Sequence, residues 1–265
     1  MSKPTESTVM TELALWDQAL EAALEARDIP RVMALARVVL KRVPRHLAAY
    51  FRLLQALWME RGWEEGEEWA RRLLRADPTS ELAWSMLAMA AEQRGLLPQA
   101  RLHWARAFDL SPYDPIIRAG INRTAIDQAD RLAITPAGLG CLYRRGRRWR
   151  RAVSLYQELV AQQPKRLDLL CGLLESLWQS GETGAAVALA RDLTQGHPEL
   201  LLAWIVLQEV GDETDQALAQ APLNALDAGY AYASLRYELS PRSVRRLIRV
   251  PPGDAALLQH SSPPA

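Results

Sequence analysis

Residues 81–114 read ELAWSMLAMAAEQRGLLPQARLHWARAFDLSPYD, and the order of apolar residues, glycine and proline in this stretch decides the fold. Trp84, Leu87, Ala88 and Ala91 recur at helical spacing and make one stripe, and Ala100, Trp104 and Ala107 make a second. Gly95 separates the two stripes. Pro112 ends the second, because proline lacks an N–H and its ring clashes with the preceding turn. The stretch reads as a helix–turn–helix unit.

Working outward, prolines stand at 44, 78, 112, 164 and 198, so that every interval is equal except the longer one between Pro112 and Pro164. Each proline closes a similar pair of stripes. One interval has Tyr50, Leu53, Leu54 and Leu57, then Gly62, then Gly66, Ala70 and Leu73. Another has Leu139, Gly140 and Tyr143, then Gly146, then Ala152, Tyr156 and Leu159. The next has Leu170, Leu173, Leu174 and Leu177, then Gly181, then Ala186, Ala190 and Leu193. The first unit is looser, with Trp16, Ala19, Leu20 and Ala23 before Val32, Ala36 and Val39, and it has Arg27 where the others turn through glycine.

The period of roughly 34 residues, the paired helices, the small residues at close contacts and the terminal proline resemble the tetratricopeptide repeat. That resemblance implies an all-α fold, an α-α superhelix built as a right-handed solenoid of helix–turn–helix repeats. It covers 13–114 as three repeats and 133–200 as two, with a degenerate sixth starting at 201. The interval from Pro112 to Pro164 is longer than one repeat, and the surplus lies in 113–132. There Asp114-Pro115 reads as an N-cap and first helical position, followed by one extra helix through Ile116, Ile117, Gly120 and Ile121. An unpaired helix cannot continue a two-helix stacking rule, so it either caps the first three repeats or sets a bend. The organisation expected is an N-terminal extension over 1–12, repeats over 13–114, an inserted helix or hinge over 115–132, repeats over 133–200, a degenerate repeat with capping helices over 201–250, and a disordered tail over 251–265.

Composition narrows the classes of function. Thirty-two basic and thirty-one acidic residues leave a net charge of +1, so attraction to nucleic acid or anionic lipid through the whole molecule is not implied. Only Cys141 and Cys171 are present, which argues against a disulfide framework and places the chain in a reducing compartment, the cytoplasm, with both thiols free. The N-terminal stretch lacks the pattern of a signal peptide, and the apolar run LLLAWIVL at 200–207 is too short to span a bilayer, so no membrane insertion is expected. The histidines at 46, 103, 197 and 260 are far apart and match no metal-ligand or hydrolase spacing, and no glycine loop cradles phosphate. The chain reads as a non-enzyme that needs no cofactor and no metal.

At about 100° per residue, the positions opposite the core stripe of each repeat's first helix point away from the second helix. Resemblance to the family implies that first helices line the concave surface. It would place Asp17, Glu21, Phe51, Gln55, Ser85, Met89 and Glu92 in a protein-binding groove. Farther along it adds Ala137, Cys141, Arg144, Arg145, Cys171, Glu175 and Trp178, then Ile205 and Glu209. Some family members grip a chaperone's C-terminal carboxylate with basic groove residues, but this chain has Asp17 and Glu21 at such positions. An extended or helical peptide with a basic end and apolar anchors suits the first block better. Trp16, Trp84 and Trp204 share one repeat position and read as core, whereas Trp58 and Trp178 each fall one residue beyond the core stripe of their helix, toward its opposite face. Truncating Phe51, Glu175 or Trp178 is expected to weaken binding and leave unfolding nearly unchanged.

The densest charge run, Arg144 to Arg151, surrounds the turn of the fourth repeat, and Arg147, Arg148, Arg150 and Arg151 form a candidate site for an acidic partner. The function expected is a scaffold or adaptor for a protein or peptide. The alternative is a nucleic-acid-associated or regulatory protein acting through that turn, which a steep salt dependence of binding would reveal.

Overall fold

The structure, a computed structural model, describes residues 8–125 and 133–259. A strand β1 (Val9–Glu12) precedes helices α1 (Leu13–Glu25), α2 (Ile29–Arg42), α3 (Leu47–Met59), α4 (Trp63–Ala76), α5 (Glu81–Gln93) and α6 (Leu97–Leu110). There follow α7 (Pro115–Thr124), α8 (Pro136–Arg145), α9 (Trp149–Gln162), α10 (Leu167–Ser180), α11 (Thr183–Gly196), α12 (Leu201–Val210), α13 (Glu213–Asp227) and α14 (Ala231–Tyr237). A second strand β2 (Leu247–Val250) and a helical turn α15 (Pro252–Ala255) end the described chain, with one turn of 3₁₀ helix over Ala256–Leu258. The architecture is an all-α helical-repeat fold of the α-α superhelix class.

Short polar caps start several helices by satisfying N–H groups that have no partner within the helix. Asp28 accepts from Arg31 N at 3.2 Å, and Ser80 Oγ accepts from Ala83 N at 3.3 Å. Asp114 accepts from Ile116 N at 2.8 Å and Ile117 N at 3.1 Å, and Thr135 Oγ1 accepts from Gly138 N at 2.9 Å. The repeat-ending prolines also serve as acceptors: the carbonyl oxygen of Pro78 accepts from Trp84 Nε1 at 2.9 Å, that of Pro198 from Trp204 Nε1 at 2.8 Å, and that of Pro44 from Tyr50 Oη. Trp84 and Trp204 are half-buried, so the position they share is a latch onto the preceding loop as well as a core site.

In the five pairs α1–α2, α3–α4, α5–α6, α8–α9 and α10–α11, the turn passes through one residue in the left-handed region. These residues are Arg27 (φ 55°), Arg61 (57°), Gly95 (71°), Arg147 (53°) and Gly181 (84°), and they keep the spacing of the prolines. Gly62 and Gly146, the glycines read as turns from the sequence, each stand one residue from the left-handed position, which arginine fills instead.

The chain divides into two compact units, one made of residues up to 62 with those from 223 onward, the other of 63–222. The boundaries therefore fall after Gly62 and Pro222, not at the insertion. In the first unit, β1 and β2 pair antiparallel with Val9 opposite Val250 and Glu12 opposite Leu247. Ile248 and Val250 turn inward and are buried while Leu247 is exposed, the alternation of a half-buried strand. The N-terminal extension thus contributes a strand from residue 9, and its first seven residues lie outside those described. A tail disordered from 251 is also corrected. The pairing of β2 brings 252–258 back onto the repeat, where Arg31 Nη2 donates to Leu257 O at 3.2 Å, and residues 260–265 lie outside those described.

In the second unit, α5 packs on α4 and α6, α9 on α8 and α10, and α12 on α11. Two aromatic residues of second helices set the close approaches. A Cβ on Gly120 would stand 2.2 Å from Trp104, and one on Gly172 would stand 2.4 Å from Tyr156, so only glycine lets those helices meet. Gly120 lies as far beyond Trp104 in the sequence as Gly172 does beyond Tyr156, so α7 stacks on α6 as a following first helix. Among the described residues it is a first helix without a second. Residues 126–132, the end of the expected insertion, lie outside those described.

Candidate protein-binding surfaces

In the first unit, α1 carries Asp17 and Glu21, and α3 carries Phe51 and Gln55. Glu21 pairs with Arg52 at 3.1 Å, and Arg52 also donates to Gln55 Oε1 at 3.1 Å. Asp17 Oδ1 stands 2.7 Å from Nε2 of His46, the buried N-cap residue of α3. Phe51 meets Tyr232 of α14 edge to face, with ring centroids 5.5 Å apart and planes at 69°. The N–H groups of Tyr232 and Ala233 donate to Asp227 at 3.0 and 2.7 Å. Burial pushes the Asp227 carboxyl up to about 6, against the opposing effect of those N–H groups and of His46.

Phe51 and Asp17 therefore face the chain's own C-terminal segment, with Glu21 and Gln55 held by Arg52. Sequence reasoning missed this return, because a segment that folds back from the far end of the chain leaves no local period. The visible sign was Tyr230, Tyr232 and Tyr237 in a region otherwise weak in pattern, all three buried.

In the second unit, Ser85 on α5, Ala137 and Cys141 on α8, Cys171 and Glu175 on α10, and Ile205 on α12 are buried, not open to a groove. Met89, Arg144 and Trp178 are half-buried, Arg145 and Glu209 exposed. Charge pairs explain part of this burial. Glu92 of α5 takes Arg123 of α7 at 3.0 and 3.1 Å, and the same guanidinium stands 3.6 Å from Met89 Sδ. Arg144 of α8 pairs with Glu175 of α10, their side chains 11% and 10% exposed. Glu21–Arg52, Glu92–Arg123 and Arg144–Glu175 share one sequence separation, a repeat less a helical turn. The same rung ties α1 to α3, α5 to α7 and α8 to α10, so Glu21, Glu92, Arg144 and Glu175, expected to face a ligand, face the next first helix. The matching charges at this separation were readable in the sequence once the repeat length was known.

Around Arg144 the interior is polar. Arg144 Nη2 stands 3.6 Å from Cys141 Sγ, which donates to Leu110 O at 3.1 Å. The Cys171 thiol is pushed well up by burial, and by the carboxylates of Asp77, Asp168 and Glu175. Both cysteines are free and buried. A second network joins helix ends: Arg166 donates to Asp109 at 2.9 Å and to Asp168 at 3.1 Å, and Thr135 Oγ1 donates to Asp109 at 2.6 Å.

Arg147, Arg148, Arg150 and Arg151 are exposed at the turn between α8 and α9 and line an open concavity beside Trp149. Among the described residues, no group of three or more His, Cys, Asp or Glu side chains is placed to hold a metal ion, and no helix is long and apolar enough to cross a membrane.

The tetratricopeptide repeat family matches residues 13–81 and 138–199. The crystal structure of YrrB, a TPR protein with an unusual peptide-binding site, is similar over 77% of this chain and 98% of that one, at 11% identity and a TM-score of 0.33. The structure of Naa15/Naa10 bound to HypK-THB is similar over 84% of this chain and 36% of that one, at 15% identity and a TM-score of 0.30. A search of the curated proteins finds no significant match. With the repeat period, the paired helices and the family match over both repeat blocks in agreement, the chain belongs to the tetratricopeptide-repeat family.

Proposed function

We propose that this chain is a non-catalytic scaffold or adaptor that binds a protein or peptide, without a cofactor, on the first-helix face of the unit spanning 63–222. One observation carries the reading. The repeats stack so that the charged groove positions Glu92, Arg144 and Glu175 are spent on neighbouring helices, while the apolar side chains of Met89 and Trp178 stay half-exposed on that face. Aromatic and sulfur-containing side chains at the edge of a rigid scaffold are the usual anchors of protein contacts. Two buried free thiols support work in a reducing compartment, the cytoplasm.

The test is quantitative affinity capture from native extract with the wild-type chain and with Met89→Ala/Trp178→Ala. Partners that fall away in the variant while its thermal unfolding is retained support the reading. Identical partner sets, with identical enrichment, refute it.

A further inference from the structure

We propose that the concavity at the turn between α8 and α9 is a second docking site, for a peptide segment that carries several carboxylates followed by large apolar side chains. Arg147, Arg148, Arg150 and Arg151 line it with Trp149, and the end of α10 closes it at Gln179, around a volume of about 400 Å³. An adjoining concavity of about 430 Å³ shares Arg150 and Arg151 and continues onto Leu139, Tyr143 and Leu155, with Glu158 at its margin. Leu139 is 37% exposed. The two hollows form one surface that is cationic at one end and apolar at the other.

Internal stability does not account for Arg148, Arg150 and Arg151. Arg52, Arg123, Arg144 and Arg166 are each matched to a carboxylate, but among the described residues Arg148, Arg150 and Arg151 make no ion pair. Their position is also unfavourable. The corresponding second helix α4 begins Trp63-Glu64-Glu65, whereas α9 begins Trp149-Arg150-Arg151. Acidic residues at a helix start complement the partial positive charge there, and arginines oppose it. Arg148 at the N-cap offers no acceptor to the first N–H groups. Arg147 holds the left-handed turn position, as Arg27 and Arg61 do in the first two repeats and Gly95 and Gly181 in the others, so the unusual residues of this turn are Arg148, Arg150 and Arg151. The same repeat could fold with acids at the start of α9, as α4 does. Carboxylates from a partner would satisfy both the guanidinium groups and the open helix start.

The apolar half chooses the class of partner. A phosphodiester backbone would gain nothing from Leu139 and Leu155 and would be repelled by Glu158, whereas a peptide can set carboxylates on the arginines and an apolar side chain in the adjoining hollow. This site uses none of the residues on the first-helix face, so the two proposals stand or fall separately.

Fluorescence polarisation with the full chain tests it. The probes are a fluorescein-labelled peptide EDEDGLLW, the same peptide with its last three residues changed to SSN, and a single-stranded oligonucleotide. EDEDGLLW is expected to bind and to shift the Trp149 indole resonance in an NMR spectrum, and Leu139→Ser is expected to weaken it severalfold. Arg150→Ala/Arg151→Ala should lower its affinity on the order of tenfold. Arg150→Glu/Arg151→Glu, which restores the acidic start seen in α4, should abolish binding while unfolding temperature holds or rises. That opposition would not arise from a purely structural role. The proposal is overturned if EDEDGLLW does not bind, if the SSN peptide binds as tightly, if the oligonucleotide binds more tightly through the same arginines, or if the double variants leave affinity unchanged.

Discussion

Glu175 on α10 is one half of a charge pair whose two side chains are only about a tenth exposed, with Arg144 of α8 as its partner and Tyr156 packed alongside. Its position in the repeat suggests a groove residue that alanine replaces at no cost to folding, and the structure argues for the opposite. Glu175→Ala leaves the Arg144 guanidinium buried without a counter-charge, and Arg144 Nε has no hydrogen-bond partner as it stands. Breaking a buried pair from one side costs about 3–5 kcal/mol. Replacing both members with apolar residues of similar volume removes the stranded charge, so Arg144→Met/Glu175→Leu is expected to fall within about 1 kcal/mol of wild type or above it. The coupling between the two sites should thus exceed about 2 kcal/mol. Urea unfolding followed by far-ultraviolet circular dichroism, on wild type, Glu175→Ala, the single variants Arg144→Met and Glu175→Leu, and the double variant, measures this. A cost below about 1 kcal/mol for Glu175→Ala, or additive single effects, would refute the account of Arg144–Glu175 as a buried rung.

Three further outcomes follow from particular contacts. The Asp227 carboxyl, raised from 3.8 to about 6, holds a proton in the folded state that the unfolded chain has already released. Stability of the first unit should therefore fall as pH rises through about 4 to 6, by up to about 3 kcal/mol, and level off above; Asp227→Asn should flatten that slope, and an unchanged profile would disprove it. Cys141 and Cys171, 1% and 2% exposed, should resist thiol reagents in the native protein and react fully in denaturant without reductant. Release only by reductant would instead indicate a disulfide. Trp84→Phe removes the indole N–H that the Pro78 carbonyl accepts and should cost about 0.5–1.5 kcal/mol in urea unfolding, and no loss would mean the latch contributes nothing.

The helical repeat was legible in 81–114 because its signals are local: stripes at helical spacing, a break near Gly95, and a proline that ends the second helix. Repetition of those signals identified the family and separated the lone helix after Asp114-Pro115 from its neighbours. The turn register was less legible, because arginine occupies the left-handed position at 61 and 147 despite an adjacent glycine. Groove residues were the least legible. Helical periodicity tells which side chains point away from their own second helix, but not whether another helix then covers them. Arg123 on Glu92 and Arg144 on Glu175 are contacts between neighbouring repeats, and Tyr232 on Phe51 joins the two ends of the chain. The sequence by itself determined the helices, their pairing and the family, since these rest on periodicity and backbone chemistry within one repeat. Only tertiary structure decided which first-helix positions remain open, because burial there depends on how consecutive repeats stack and on where the C-terminal segment returns.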